Sequence, residues 1–271
     1  MPNSPLSLYR RSVLPRPRHL TVAFACVALA NLESTAQIAI TTPGVAVTEN
    51  FDSLGTSATA TLPAHWRMTA AGTSTVTWAD ATNVTATTQQ ASANSPTTGG
   101  RYNWGQSSTD RAIGFMTSSG YASPNSILAS FTNATGSTIH ELTISFDYER
   151  YRLNTAAASI SFSYSTDGSN WISASAGDSG AFSTGSSSYG FTTLISSQSR
   201  SVTLSSLDLN PDSAFYLRWH FNTTGANSQG LGLDNFSLTA SAVPEPSTYA
   251  AIAGATALLG AAWHRRRPRR P

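Results

Sequence analysis

The chain has 271 residues, 16 basic and 14 acidic side chains, a net charge of +2 and one cysteine, Cys26, so neither a disulfide framework nor a thiolate metal site can come from this chain alone. The charge is +3 over residues 1–36, −5 over 37–242 and +4 over 243–271, which together give the +2. The basic pI therefore belongs to the two ends, and the acidic, Lys-free middle has no electrostatic footprint for a nucleic-acid partner.

Residues 1–36 have the parts of a secretory signal. Arg10, Arg11, Arg16 and Arg18 form a positive start, Leu20–Ala30 is apolar, and Ser34-Thr35-Ala36 presents small residues to a signal peptidase. Cleavage is expected between Ala36 and Gln37, after passage through the Sec translocon. Removal of this segment takes the only cysteine with it. What remains, at about 200 residues, is large enough to be held by burial alone.

Residues 37–242 are rich in Ser, Thr, Gly, Ala and Asn, with aromatic and β-branched residues in short alternating runs, a pattern of strands and turns. Leu142, Ile144, Phe146 and Tyr148 alternate along one run. Ile160, Phe162 and Tyr164 do so along a second, and Phe215, Leu217, Trp219 and Phe221 along a third. Shorter runs lie at Val76–Trp78, Ile113–Phe115, Ile127–Phe131 and Val202–Leu204. In Leu231–Leu238 the apolar phase slips between Leu233 and Phe236, which a β-bulge at Asp234–Asn235 would explain. Asp167-Gly168 reads as a hairpin turn, with Trp171 packing on the next strand. One-face-buried strands with no helical repeat predict an all-β, antiparallel β-sandwich.

Candidate chemistry in this domain is sparse. Asp147 and Glu149, two apart on a strand, share a face and could serve as a carboxylate pair, although Arg150 and Arg152 stand ready to pair with them. No His-x-His or His-x-x-x-His spacing marks a zinc site, and no Gly-x-Ser-x-Gly elbow is present. Tyr102 and Trp104 fall in the Gly-rich stretch Gly99–Gly105, read as a loop offering aromatic rings to a ligand.

The tail has three parts. Pro244 and Pro246 fix φ, so Val243-Pro244-Glu245-Pro246 should be extended and open to a processing enzyme. Tyr249–Trp263 is uncharged and should form the centre of a transmembrane helix over about residues 247–263; its fifteen residues reach roughly 22 Å, short of the roughly 30 Å hydrocarbon core. Arg265, Arg266, Arg267, Arg269 and Arg270 follow as a cytoplasmic basic stop.

The order Pro244-Glu245-Pro246, apolar run, Arg cluster resembles the PEP-CTERM protein-sorting signal of Gram-negative bacteria. In that family an exosortase, a membrane-embedded cysteine transpeptidase-like enzyme, recognises the signal, and the proteins are associated with extracellular polymeric substance. The middle resembles, more weakly, the jelly-roll ectodomains of adhesin and MAM-like surface proteins. The residues that carry this are Asn50-Phe51-Asp52-Ser53-Leu54, Leu62-Pro63-Ala64-His65-Trp66, the Leu142–Tyr148 strand, the Phe162–Trp171 hairpin and Leu231–Phe236. That resemblance implies two packed sheets of four or five strands, first and last strands adjacent, with binding rather than catalytic roles. By the same fold analogy Asp52 and Asp234 are the candidate ligands of a structural Ca²⁺; no other cofactor is expected.

The three domains expected are thus a signal peptide (1–36), an extracellular jelly-roll-like sandwich (37–242) and a sorting tail (243–271). The expected protein is exported, anchored briefly in the inner membrane, processed by an exosortase and left at the cell surface or in the matrix, in contact with exopolysaccharide, without catalysis. The alternative is a secreted polysaccharide-active enzyme on a β-sandwich that uses Asp147 and Glu149.

Overall fold

A computed structural model describes residues 37–57, 59–81, 96–107, 109–191, 193–223, 225–226, 228–241 and 246–266. The expectations for residues 1–36, for Val243, Pro244 and Glu245, and for Arg267, Arg269 and Arg270 lie outside the described residues.

Among the described residues, two seven-stranded sheets pack face to face. The first holds β1 (Ile38–Ile40), β3 (Trp66–Met68), β6 (Asn125–Asn133), β8 (Ala158–Ser165), β9 (Ile172–Ser173), β10 (Gly180–Phe182) and β13 (Ala214–Thr223). The second holds β2 (Val47–Glu49), β4 (Gly100–Ser107), β5 (Asp110–Met116), β7 (Ile139–Leu153), β11 (Ser188–Tyr189), β12 (Ser196–Leu209) and β14 (Gly230–Ser241). β1 runs parallel to β6, and every other pairing between these strands is antiparallel. A helix, α1 (Pro246–Arg266), follows the last strand.

The alternating runs account for the sandwich core. Phe146 and Tyr148 of β7, Phe162 of β8, Phe215, Leu217, Trp219 and Phe221 of β13, and Leu231, Leu233 and Phe236 of β14 all belong to one buried apolar cluster. Burying such side chains stabilises by about 1.5–3 kcal/mol each before chain entropy is counted. The sheets exceed the expected four or five strands because six of their members are only two or three residues long. The first strand, β1, pairs with β6 in the other sheet, and it is the second, β2, that lies beside the last, Glu49 opposite Phe236.

Val76–Trp78 is not a strand. The Thr77 amide and hydroxyl both donate to Asp80 Oδ2, at 2.8 and 2.9 Å, and turn the chain back. Val76 and Trp78 instead cover Leu128 from outside, together with Ala81 and Trp171. Arg67 pins this turn by donating to the Trp78 and Ala81 carbonyls (2.8 and 3.0 Å), its guanidinium 4.3 Å above the Trp78 ring. The Asp167-Gly168 hairpin is present as expected: Asp167 Oδ1 accepts from the amides of Ser169 and Asn170, and Trp171 Nε1 donates to the Val76 carbonyl at 2.6 Å.

Candidate functional site

The bulge expected at Asp234–Asn235 is present, and it organises the outer face of the second sheet. The register of β14 against β7 shifts between Asp234 and Ser237, with Asn235 at φ 51°. The slip lets Leu233 and Phe236 both face the core while Asp234 and Asn235 turn the other way. Asn235 Nδ2 donates to Asp147 Oδ2 at 3.0 Å across the pair of strands.

Alternation places Glu149 and Tyr151 of β7 on this same outer face, because Phe146 and Tyr148 occupy the inner one. Asp110 opens β5, the strand on the other side of β14. Three neighbouring strands thereby bring together Asp110, Glu149 and Asp234, whose ligand oxygens all lie within 4.8 Å of one another. Glu149 and Asp234 are only 5% and 3% exposed, whereas Asp110 is open to solvent.

Burial here is expensive for negative charge. Loss of hydration raises the Glu149 carboxyl to about 7; the Tyr151 hydroxyl, which donates to Oε2 at 2.5 Å, opposes this, and the charges of Asp110 and Asp147 reinforce it. Asp234 is raised to about 8, first by burial and then by Glu149, Asp110 and Asp52, against a downward pull from the Asn235 amide. Asp234 Oδ1 is a buried oxygen with no hydrogen-bond partner. Arg111, one residue from Asp110, is also buried and directs Nε and Nη2 to the side-chain and main-chain oxygens of Asn103 (2.9 and 2.7 Å).

Asp52 does not join Asp234 in this group. It sits in a 3-10 turn, Asp52–Leu54, where Oδ1 accepts from the Arg111 amide (3.0 Å) and Oδ2 from Asn50 Nδ2 (2.7 Å). Asp52 is near enough for its charge to act on Asp234, while the carboxylates whose oxygens lie within 4.8 Å of one another are Asp110, Glu149 and Asp234. Asp147 and Glu149 share a face as expected, but Glu149 is buried under Tyr151 while Asp147 is held by Asn235.

Tyr102 and Trp104 are not exposed platforms on a loop. Both lie in β4 and are fully buried. Tyr102 stacks on Trp104 at 4.0 Å, and Trp104 stacks on Tyr151 at 5.4 Å, in a second apolar cluster that Phe191 and Leu194 help cover. Trp104 lies flat on β14, where Gly230 and Gly232 leave room: a Cβ at Gly230 would stand 2.7 Å from Trp104 Cη2. Trp104 Nε1 donates to the Leu231 carbonyl at 3.0 Å, which gives the buried indole N–H its partner.

In the tail, α1 runs 21 residues, which at 1.5 Å per residue is about 31 Å. Even so, among the described residues no helix is long and apolar enough to cross a membrane. The expected transmembrane helix over 247–263 is therefore not supported by its own composition: Ala, Gly, Ser and Thr dilute the few large apolar residues, and Arg265 and Arg266 fall inside the helix. Ile252, Leu258, Leu259 and Trp263 are exposed, and the Thr256 hydroxyl is returned to the Ile252 and Ala253 carbonyls (3.0 and 2.8 Å). Gln37, the expected mature start, accepts from the Thr132 hydroxyl through Oε1 at 2.6 Å.

Residues 242–267 match the model of the PEP-CTERM protein-sorting motif, and the chain carries this motif beside a mostly-β domain. No curated protein matches the chain. One similar solved structure is TmCBM61 in complex with beta-1,4-galactotriose: 11% identity, 49% of this chain and 72% of that one covered, TM-score 0.28. Another is the Clostridium thermocellum N-terminal endo-1,4-beta-D-xylanase 10B, CBM22-1–GH10 modules complexed with xylohexaose: 11% identity, 72% of this chain covered, TM-score 0.31. The chain spans 28% of that second structure.

Proposed function

We propose that this is an exported surface protein whose tail is read by an exosortase and whose β-sandwich then remains outside the cell as a non-catalytic binding or structural domain. The observation that carries the reading is the sorting motif at residues 242–267. Such a motif implies processing by an exosortase and delivery to the cell envelope. On this reading α1 is held in the inner membrane only until the tail is processed, with the basic residues behind it staying cytoplasmic. Association with exopolysaccharide, as a filler or a contact for neighbouring matrix proteins, is the role we assign to the released domain.

Two features support a non-catalytic domain over a polysaccharide-active enzyme. Glu149 and Asp234 are buried rather than presented in a cleft, and the aromatic rings beside them are spent on packing. In an exosortase-bearing host, replacing Glu245 with Ala or deleting residues 265–270 should leave full-length chain in the inner-membrane fraction. Normal processing of both variants would overturn the sorting reading, and polysaccharide turnover lost on Glu149→Gln would overturn the non-catalytic one.

A further inference from the structure

We propose that Asp110, Glu149 and Asp234 bind a divalent cation of the Ca²⁺ class, which ties β5, β7 and β14 together on the outer face of the second sheet. The ligand set comes from three adjacent strands, so its geometry is fixed by backbone pairing rather than by a flexible loop. Its oxygens lie within 4.8 Å of one another. Ca²⁺ holds oxygens at about 2.3–2.6 Å, so two oxygens on opposite sides of one ion stand up to about 5 Å apart. Mg²⁺, at about 2.0–2.1 Å, would require the three groups to draw closer.

The second observation is the orphan oxygen. Asp234 is 3% exposed, yet its Oδ1 has no hydrogen-bond partner. A buried polar atom left in this state costs about 1–3 kcal/mol, and more when charged. Donors are at hand elsewhere on this face and are committed: Asn235 to Asp147, Tyr151 to Glu149, and two Arg111 nitrogens to Asn103. A hard cation satisfies the orphan and offsets the cost of holding three carboxylates together with two of them buried. Asp110, the exposed member, supplies the entry side, where water completes the six to eight oxygens that Ca²⁺ takes. All three groups are carboxylates and none is His, which matches an oxygen-preferring ion and not zinc or copper.

The test uses the purified full-length chain with CaCl₂, MgCl₂ and, as a luminescent probe, TbCl₃. Ca²⁺ should raise the thermal midpoint above that in chelator, and Mg²⁺ should do so less. Tb³⁺ emission should be excited through Tyr151, whose hydroxyl lies 2.5 Å from Glu149 Oε2, and Ca²⁺ should quench it by competition. Asp110→Asn, at an exposed position, should weaken Ca²⁺ at least tenfold while leaving the fold in chelator unchanged. Asp234→Asn should abolish the Ca²⁺ response, and Asp208→Asn, on an exposed side chain elsewhere, should leave it intact. No Ca²⁺ shift in the wild type, or equal shifts in the wild type and Asp110→Asn, would overturn the assignment.

Discussion

Trp219 of the first sheet meets Phe236 of the second edge to face, ring centroids 5.8 Å apart and planes at 86°. The contact exists because the bulge turns Phe236 back to the core after Leu233, so a local irregularity in β14 completes the junction of the two sheets. Trp219 also touches Phe146 and Phe162 at 5.4 Å and stacks on Trp66 at 5.6 Å. Trp219→Ala should lower unfolding free energy by about 3–5 kcal/mol, read by urea denaturation. Trp219 Nε1 is buried without a hydrogen-bond partner, so Trp219→Phe, which removes that donor along with part of the ring, should cost clearly less. Equal losses would show that the particular fit of the indole, and neither ring volume nor the orphan donor, decides the stability of this junction.

The close approach of β5 and β14 gives a second expectation. Gly114 pairs with Gly232, and a Cβ built at Gly114 would stand 1.9 Å from the Leu231 carbonyl oxygen. That oxygen belongs to the backbone and cannot swing aside. Gly114→Ala should therefore separate the two strands and cost at least the about 1–3 kcal/mol typical of an overpacked core. Near-UV circular dichroism of the Tyr102–Trp104–Tyr151 stack should weaken with it. An unchanged denaturation midpoint would contradict the register.

The parts of the fold legible in the sequence are those where one face of a long strand is buried and the other is polar, as in β8 and β13, whose alternation maps directly onto the core. The phase slip in β14 was equally readable, because a bulge changes which residues are apolar. Strands of two or three residues cannot carry a period, which is why β1, β3 and β9 left no signal. Tyr102 and Trp104 misled for a physical reason. Their glycines resemble loop punctuation, whereas both faces of β4 and β5 are covered here, and the glycines of β14 mark close packing around Trp104. In the sequence Asp234 reads as an ion ligand and Glu149 as one of a carboxylate pair. What joins them is strand pairing over long sequence separation, and Asp110, at the start of β5, carried no local mark of its role.

His220 should make the domain acid-sensitive. Its Nδ1 stands 2.8 Å from Arg218 Nη2 and 3.2 Å from Ser126 Oγ, so the ring must remain neutral to accept from the guanidinium. Burial, and then the Arg218 charge, lower it from 6.5 to about 4. In the unfolded chain the ring takes up a proton near 6.5, which the folded state refuses until about 4. The stability it contributes is thus complete above 6.5 and falls as pH drops through that window. Urea midpoints at a series of pH values should show His220→Gln gaining on the wild type as pH falls from 6.5 to 4. Parallel curves would rule out a neutral His220 in the fold.

Asn235 is the position on which the bulge and the carboxylate cluster both depend. Its φ of 51° is left-handed, a conformation that costs an ordinary residue roughly 1–2 kcal/mol and costs glycine almost nothing. Its Nδ2 also donates to Asp147 Oδ2 at 3.0 Å, on a partly exposed surface where such a bond is worth about 0.5–1.5 kcal/mol. The two contributions separate by substitution. Asn235→Gly keeps the backbone and loses the bond, so it should cost about 1 kcal/mol. Asn235→Ala loses both and should cost about 2–3 kcal/mol, measured as the shift in urea midpoint at constant slope. If Asn235→Ala were instead the milder change, the bulge would not require a left-handed residue, and the placing of Asp234 beside Glu149 would need another cause.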